Sequence, residues 1–309
     1  MGLNYDYDLS EQYIYSHAKA LTVHKNFNLI AGVDVLEEQR IRFKNKYNLP
    51  VFKDISSIAA IDSIKLVIIA TPPEHHLENI LRIIESKRPE IILCEKPFAD
   101  NHQNSQRIYD ICKRNSIKLF INYPRRADPG IQEIKRLITS EELSFPFKAN
   151  VWFSKGFRNN ASHFLDLANF LFGEIQSLKK ISPSVQSYNG DFDMDFIAEY
   201  QDGSIMYRYL NYKNYNHNSF DLYFANASIN YSPNGSIDHR SSLERDLPLS
   251  FRNFLSEKSV VIENGASKYQ YHVLSELLKE FNGETSVLCS AKEALNMQEK
   301  ILSMETNDE

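Results

Sequence analysis

Hydrophobic and polar positions in the first part of the chain follow two alternating patterns. Short apolar runs, the most continuous of them KLVIIA, read as buried strands. They stand at residues 27–34, 65–70, 91–94 and 117–121. Amphipathic stretches between them have helical spacing, and the predicted helices run from Asp8, as N-cap, to about residue 25, and over residues 36–47, 73–87 and 103–115. Strands separated by single helices predict right-handed crossovers and a parallel sheet.

The second half of the chain has a different pattern. Strand-like segments stand at residues 147–153, 178–187, 195–212 and 219–232. Asp202-Gly203 and Asn234-Gly235 are hairpin signals, and one helical segment at 161–173 lies among the strands. Two helical patterns, at 271–281 and 291–304, close the chain. Together these elements predict an α+β domain with an open, mainly antiparallel sheet and helices on one face.

The boundary between the two halves is expected near residues 122–130, where Pro124 and Pro129 punctuate the chain. We therefore predict two domains, residues 1–124 with the parallel sheet and residues 125–309 with the antiparallel one. The fold class is α/β, with a Rossmann-like domain followed by an α+β domain.

The beginning of the chain departs from a Rossmann-like domain, which opens with a strand, a glycine-rich turn and a helix that binds pyrophosphate. Here the first pattern is already helical, and Gly2 is all that corresponds to the turn. The first strand normally lies in the middle of the sheet, so we expect its absence to leave backbone groups unpaired, each costing roughly 1–3 kcal/mol. A start codon assigned too late and a degenerate gene product both explain this pattern.

Composition narrows the class of protein. The 309 residues carry 35 Lys and Arg against 40 Asp and Glu, a net charge of −5, which argues against a nucleic-acid partner. No apolar run approaches the roughly 20 residues that span a bilayer, and the acidic, polar start does not resemble a signal peptide. The 3 cysteines are scattered and the 9 histidines lack metal-ligand spacing. These features predict a cytoplasmic protein without membrane, nucleic-acid or metal partners.

Candidate chemistry lies where the predicted parallel strands end. Asp34 follows the first of them, where an acidic residue binds the adenosine ribose of NAD and repels the 2′-phosphate of NADP; an ordinary turn aspartate is equally compatible. Thr71 and Pro72 follow the next strand, and His76 comes soon after, as a packing residue or as part of the ligand crevice. Each strand end therefore offers a side chain to one edge of the sheet.

Lys96, in the sequence Cys94-Glu95-Lys96-Pro97, follows the third of these strands. Its ammonium group would stabilise negative charge developing on a substrate oxygen, although a solvent-facing lysine is the simpler interpretation.

The helix at 161–173 brings a second candidate. His163 and Asp166 are three residues apart and so share a helix face, and a histidine near neutral pKa is suited to accept a hydroxyl proton. A buried histidine with only a packing role is the simpler alternative. Arg125, Arg126 and Arg158 would hold an anionic substrate group or form ion pairs across the domain boundary.

The order of the segments ATPPEHH, CEKPFA, NYPRR and NNASHFLDL resembles the Gfo/Idh/MocA family, named for glucose–fructose oxidoreductase and inositol dehydrogenase. The resemblance covers nearly the whole chain, and Glu95-Lys96-Pro97 is its most specific part. It implies NAD(P)-dependent oxidation or reduction of a hydroxyl or carbonyl group of a sugar, sugar nucleotide or cyclitol, with NAD preferred. The YDYD start and the segments SKG and NNASH are similar to members associated with bacterial surface polysaccharides.

The same resemblance implies roles for individual residues. The catalytic positions are Lys96, His163 and Asn159. The cofactor-binding positions are Gly2, Asp34, Thr71, Pro72, His76, Glu95 and Lys96. The substrate-binding positions are Arg126, Tyr123, Lys155 and Asn160. A homo-oligomer formed through the sheet of the second domain is also implied.

Asn159 is a departure from the family pattern, because many members carry an aspartate there and asparagine cannot hold a negative charge. Together with the incomplete phosphate loop, it leaves an alternative open. The chain would then be an inactive remnant of the family with a binding or scaffolding role.

Overall fold

The computed structural model describes residues 12–61, 63–211, 213, 215–243 and 254–305. The chain forms two compact units: the first comprises Met1–Ala127 and Ser267–Gln298, and the second Asp128–Ala266 and Glu299–Glu309. The sequence placed the boundary at residue 124, whereas these units divide after Ala127 and the segment Ser267–Gln298 belongs to the first unit. Gly2 and the predicted N-cap Asp8 lie outside the described residues.

The described helices are α1 His17–Val23, α2 Glu37–Tyr47, α3 His76–Ser86, α4 His102–Arg114, α5 Pro129–Thr139, α6 Ser162–Phe172, α7 Tyr269–Phe281 and α8 Ala291–Glu305. The described strands of the first unit are β1 Gly32–Val33, β2 Val51–Phe52, β3 Leu66–Ile69, β4 Ile91–Cys94, β5 Lys118–Ile121 and β17 Cys289–Ser290. Those of the second unit are β6 Phe147–Ser154, β7 Ser177–Lys180, β8 Val185–Gln186, β9 Phe192–Asp193, β10 Phe196–Tyr200, β11 Gly203–Leu210, β12 Ser219–Tyr223, β13 Ala227–Tyr231, β14 Ile237–Leu243, β15 Phe254–Leu255 and β16 Val260–Ile262.

The sheet of the first unit has the order β17-β5-β4-β3, in which β3, β4 and β5 are parallel and β17 is antiparallel. Strands β1 and β2 form a separate parallel pair. All four residues of β4 are buried, as expected for an apolar run covered on both faces. From the last part of the chain, Val273 and Leu277 of α7 pack against Ile91 and Leu93 of β4 in one hydrophobic core.

The sheet of the second unit has the order β15-β14-β13-β12-β6-β11-β10-β7, with β16 also paired to β14. Every pair is antiparallel except β6 with β11. Buried and partly exposed residues alternate along β10, so one face of the sheet packs inward. Leu167 and Leu171 of α6 line a narrow space against Val151 and Ile205 of the sheet.

The predicted fold class is confirmed: a Rossmann-type parallel sheet is joined to a second unit with a mainly antiparallel sheet. Several parts of the architecture were not predicted, among them strands β2, β14, β15 and β16, helix α5 and strand β17. Helix α5 begins at Pro129, with Asp128 as its N-cap, inside the segment interpreted as a boundary. Strand β17, with its single pair of residues, is too short to leave a sequence pattern. None of the helices that the described residues form has the length and apolar character needed to cross a membrane.

Candidate active site

Strand register in the first unit brings three strand ends to one edge of the sheet. Ile69 pairs with Cys94, and Cys94 pairs with Ile121, so β3, β4 and β5 end level with one another. The residues that follow them, Thr71, Lys96 and Tyr123 among them, therefore leave the sheet at the same edge. In open parallel sheets this carboxyl edge is where ligands bind.

Glu95, the residue before Lys96, is the centre of a hydrogen-bonded network. Its Oε1 accepts hydrogen bonds from His17 Nε2 at 2.7 Å and from Asn122 Nδ2 at 2.8 Å. Burial by itself would raise the pKa of the Glu95 carboxyl, but the bonds and charge of His17, the bond from Asn122 and the charge of Lys96 outweigh it and lower the pKa. Glu95 is therefore a carboxylate at neutral pH, beside the Lys96 ammonium.

His76 links the loops that follow β3 and β4. Its ring is fully buried, with Nε2 2.8 Å from the carbonyl oxygen of Thr71 and Nδ1 3.0 Å from that of Phe98. The Cys94 sulfur lies 3.3 Å from Nδ1. The buried imidazole thus links the two loops at the carboxyl edge of the sheet.

Asp34 lies directly after β1 and caps the turn into α2. Its Oδ1 accepts a hydrogen bond from Leu36 N at 2.9 Å. Arg40 donates to the backbone oxygens of Asp34 at 2.9 Å and of Val35 at 2.8 Å. The turn aspartate expected from the sequence is present, and the same bonds fix the carboxylate at the strand end where a ribose-binding residue is expected.

Arg126 and Tyr123, two predicted substrate contacts, are both buried within the first unit. The Arg126 guanidinium donates to Glu293 Oε1 at 2.8 Å. Burial raises the pKa of the Glu293 carboxyl, but Arg126 and Ser290 more than compensate and the net pKa is lowered. The ion pair of Arg126 with Glu293 of α8 therefore lies within the first unit, whereas the sequence offered a pair across the domain boundary as the alternative.

In the second unit, β6 leads directly into the helix that carries His163. Lys155 and Gly156 both adopt positive φ, 65° and 99°, which turns the chain after the strand. One turn of π-helix, Phe157–Ala161, then precedes α6. Asn159 lies in this turn and His163 in the first turn of α6, four residues later, so they share one face.

Two side-chain amides are oriented by the end of β6. Asn159 Nδ2 donates to the Lys155 carbonyl at 3.1 Å, and Asn160 Nδ2 donates to the Ser154 carbonyl at 2.6 Å. Since each amide nitrogen is bonded to the backbone, the orientation of each amide group is fixed. Lys155, Asn159, Asn160 and His163 thus all lie on the segment that joins β6 to the first turn of α6.

Three residues of these arrangements were missed by sequence reasoning. Asn122 lies in the quoted segment NYPRR at a strand end, so its position was a usable signal. His17 carries no signal beyond its place on a helix. Asp191, whose carboxylate accepts backbone hydrogen bonds from Arg158 and Asn159, follows an Asn-Gly turn but is remote from the helix in sequence. The described residues hold no group of three or more His, Cys, Asp or Glu arranged for a metal ion.

Comparison with known proteins agrees with the fold. Residues 12–123 match the model of the Gfo/Idh/MocA oxidoreductase family, described as an NAD-binding Rossmann fold. An oxidoreductase of Formosa agariphila is 26% identical over 50% of this chain and 56% of its own length. Glucose-6-phosphate 3-dehydrogenase of Bacillus subtilis is 26% identical over 60% of this chain and 52% of its own length. The chain thus spans about half the length of the curated relatives that it matches.

A solved structure extends the likeness to both units. An oxidoreductase from Agrobacterium radiobacter, crystallised with NAD+, L-tartaric acid and magnesium, superposes with a TM-score of 0.74 at 16% identity. The match covers 94% of this chain and 91% of that one. At this identity it shows a shared fold.

Proposed function

We propose, from the match of residues 12–123 to the model of the Gfo/Idh/MocA oxidoreductase family, that the chain is an NAD-dependent oxidoreductase. Its substrate would carry a hydroxyl or carbonyl group on a sugar, sugar nucleotide or cyclitol. One observation carries the proposal furthest: Lys96 follows a buried parallel strand at the carboxyl edge of the sheet, beside the network of Glu95, His17 and Asn122.

The first unit supplies groups suited to NAD. Asp34 would bind the adenosine ribose, and its charge would disfavour the 2′-phosphate of NADP. Thr71 and Pro72, whose loop is tied down by His76, would form a wall of the crevice, and we assign Gly2 to the phosphate turn from the family pattern. When bound, the nicotinamide accepts a hydride from an alcohol or supplies one to a carbonyl.

Lys96 would supply the charge stabilisation and His163 the proton transfer. The Lys96 ammonium would donate a hydrogen bond to the substrate oxygen and stabilise the negative charge that develops there. In the oxidation direction, His163 would take the hydroxyl proton as the hydride leaves the carbon, and in reduction it would return the proton. Asn159 cannot take up a proton at neutral pH and would act only by hydrogen bonding.

Substrate hydroxyls would be bound from the second unit. Asn160 uses its amide nitrogen on Ser154, so its Oδ1 can accept a hydrogen bond from a hydroxyl group. Lys155, whose ammonium lies 5.7 Å from the centre of the Tyr188 ring, would donate to a substrate oxygen. Tyr123 and Arg126 stay in the proposed substrate set with a supporting rather than a direct part, since both are buried.

A homo-oligomer formed through the outer face of the second unit's sheet is part of this proposal. Trp152, Ile197 and Met206 lie at partly exposed positions of neighbouring strands, and such faces commonly pair in symmetric dimers. The segments SKG and NNASH add a sugar of surface-polysaccharide metabolism as the narrower substrate class.

The test is a titration of the purified chain with NADH, followed by fluorescence of the bound nicotinamide. Saturable micromolar binding is expected. The reduction of NAD+ is then measured with levoglucosan, glucose 6-phosphate, myo-inositol and a UDP-linked uronic acid. Turnover of any of them supports the enzyme; a folded chain that binds no NADH would overturn the proposal and leave the non-catalytic remnant.

A further inference from the structure

The N-terminus of the helical segment that carries Asn159 and His163 is capped by a residue distant in sequence. Gly156 occupies the N-cap position and has no side chain to cap with. Instead, the Asp191 carboxylate accepts hydrogen bonds from the backbone N–H groups of Asn159 at 2.9 Å and Arg158 at 3.2 Å. It also accepts one from Phe192 N at 2.9 Å. The Asp191 carboxylate thus accepts hydrogen bonds from backbone amides of the π-helical turn and of strand β9.

The backbone around Gly156 is shaped to admit this carboxylate. A Cβ atom at Gly156 would overlap the Asp191 carboxylate, and the φ of 99° is one that other residues rarely adopt. Asp193 accepts a hydrogen bond from Gly156 N at 3.0 Å, so a second carboxylate from the same hairpin holds the same turn. Glycine at position 156 therefore leaves the space that the Asp191 carboxylate occupies.

Aromatic side chains also pack between the β8–β9 hairpin and the π-helical turn. The rings of Phe157 and Phe192 stack with centroids 5.2 Å apart. The Arg158 guanidinium lies 5.5 Å from the centre of the Phe192 ring. The contact between the β8–β9 hairpin and the π-turn is thus both polar and apolar, which restricts its geometry more than a single hydrogen bond would.

We propose that Asp191 is a positioning residue that sets the location of Asn159 and His163 for catalysis. Asn159 is fixed at two points: Asp191 holds its backbone N–H, and the Lys155 carbonyl holds its side-chain amide. His163 lies one helical turn further on, so its imidazole moves when the turn moves. The role in catalysis, though not the capping itself, rests on the proposed function.

Hydrogen exchange tests the capping directly, with no substrate needed. In Asp191→Ala, amides of residues 157–163 should exchange at least about tenfold faster than in the wild type, while the last turns of α6 keep their protection. Asp191→Asn keeps one acceptor oxygen and should recover part of the protection. Asp195→Ala is the matched control, because Asp195 also accepts a backbone hydrogen bond, from Tyr209, but none from the His163 segment. Unchanged exchange in Asp191→Ala would overturn the proposal.

Two further measurements separate positioning from general destabilisation. With the substrate found in the NAD+ screen, Asp191→Ala should lower kcat about a hundredfold with NADH affinity unchanged, and Asp191→Asn should restore part of it. Independently of turnover, the ring resonance of His163 in a histidine-labelled sample, assigned with His163→Gln, should shift in Asp191→Ala and not in Asp195→Ala. Faster exchange with an unmoved His163 resonance and unchanged kcat would reduce Asp191 to a structural cap. Loss of NADH binding by the wild type would instead count against the proposed function alone.

Discussion

The two units fix their candidate groups by opposite means. In the first unit, Lys96 follows Glu95, whose carboxylate is bonded by side chains, His17 and Asn122. In the second unit, the segment carrying His163 is fixed by side-chain carboxylates that bind backbone amides, with Asp191 as the main acceptor. Charge pairing thus dominates one arrangement, and capping of a helical segment dominates the other.

This difference bears on how each arrangement tolerates change. The partly exposed carboxylate of Glu95 accepts hydrogen bonds from one imidazole and one amide, so deleting His17 removes its ionisable donor and leaves the neutral Asn122 amide. The carboxylate of Asp191 is shared among three N–H groups, so weakening one bond leaves the others. We therefore expect sharper effects of substitution in the first unit and more graded effects in the second.

The largest expected effect is on turnover, through Lys96. Lys96→Met should lower kcat by about a hundred- to a thousandfold, because it removes the cation that stabilises charge on the substrate oxygen, while NADH binding stays largely intact. Steady-state kinetics with the substrate from the screen measure it. Lys65→Met is the control, since Lys65 forms an exposed ion pair with Glu90 at the other end of the strands. Undiminished turnover in Lys96→Met would remove Lys96 from the mechanism.

The next effect is on stability, through His17. His17→Ala should lower the free energy of unfolding by about 2 kcal/mol, because it removes one of the hydrogen bonds to the partly exposed Glu95 carboxylate. His17→Gln should recover part of the loss, since an amide can still donate a hydrogen bond. Urea denaturation followed by circular dichroism measures the change. His24→Ala, which removes a bond to the neutral Ser275 hydroxyl, serves as the comparison and should cost less; equal losses would contradict the charge argument.

A smaller effect concerns the choice of cofactor. Asp34→Ser should weaken NADH binding about tenfold and improve NADPH binding, because it removes the carboxylate expected at the ribose. Fluorescence titrations with both nucleotides measure the ratio. Asp54→Ser makes a suitable control, as Asp54 accepts a hydrogen bond from Ser56 N in the same way, two residues after β2, but is not a proposed ribose ligand. A ratio that does not move would return Asp34 to the role of a turn residue.

The smallest effect is a difference in pH dependence between carboxylates of the two units. Burial raises the pKa of the Asp193 carboxyl above its ordinary 3.8, with a further rise from the Asp191 charge. Its contribution to stability is therefore present below that ordinary value and is lost as the pH rises through the raised one. Arg126 and Ser290 more than offset burial and leave the pKa of Glu293 below its ordinary 4.5, so its contribution is present above 4.5 and is lost on acidification through the lowered value.

The expected result follows from these signs. Relative to the wild type, Asp193→Asn should gain stability as the pH rises from about 4 to 7, whereas Glu293→Gln should lose stability over the same range until the wild-type carboxylate is fully ionised. Fluorescence of Trp152, the single tryptophan of the chain, reports on the second unit. Hydrogen exchange of β4 reports on the first. Parallel pH curves for the two variants would contradict the assignment.

Local pattern was a good guide to individual elements. The apolar run at 91–94 became β4 with the predicted bounds, and the Asp202-Gly203 signal lies at the turn between the antiparallel strands β10 and β11. A Cβ at Gly203 would collide with Phe147, so this glycine serves the packing of β11 on β6 as well as the turn. The strand predicted over residues 27–34 was too long, because within that range only Gly32–Val33 form a strand.

The candidate site was predictable where it depends on strand ends and not where it depends on distant partners. Lys96 and Asp34 follow strands, and a strand end in a parallel sheet is visible in the sequence. The part played by Asp191 is not visible in the sequence, because its hydrogen bond to Asn159 joins residues 32 positions apart and depends on the path of the β8–β9 hairpin. His17 and Glu95, 78 positions apart, meet for the same kind of reason.

The sequence by itself determined the elements, the two kinds of sheet and the candidates at the carboxyl edge, because periodicity and turn residues act within a few positions of the chain. Only the tertiary structure decided which charges are compensated. The buried Arg126 became the partner of the half-exposed Glu293, Glu95 became an ionised group beside Lys96, and Asp191 became a helix cap. These outcomes depend on burial and on partners that folding brings close. Both effects change the free energy of a charged group far more than the residues next to it in the sequence do.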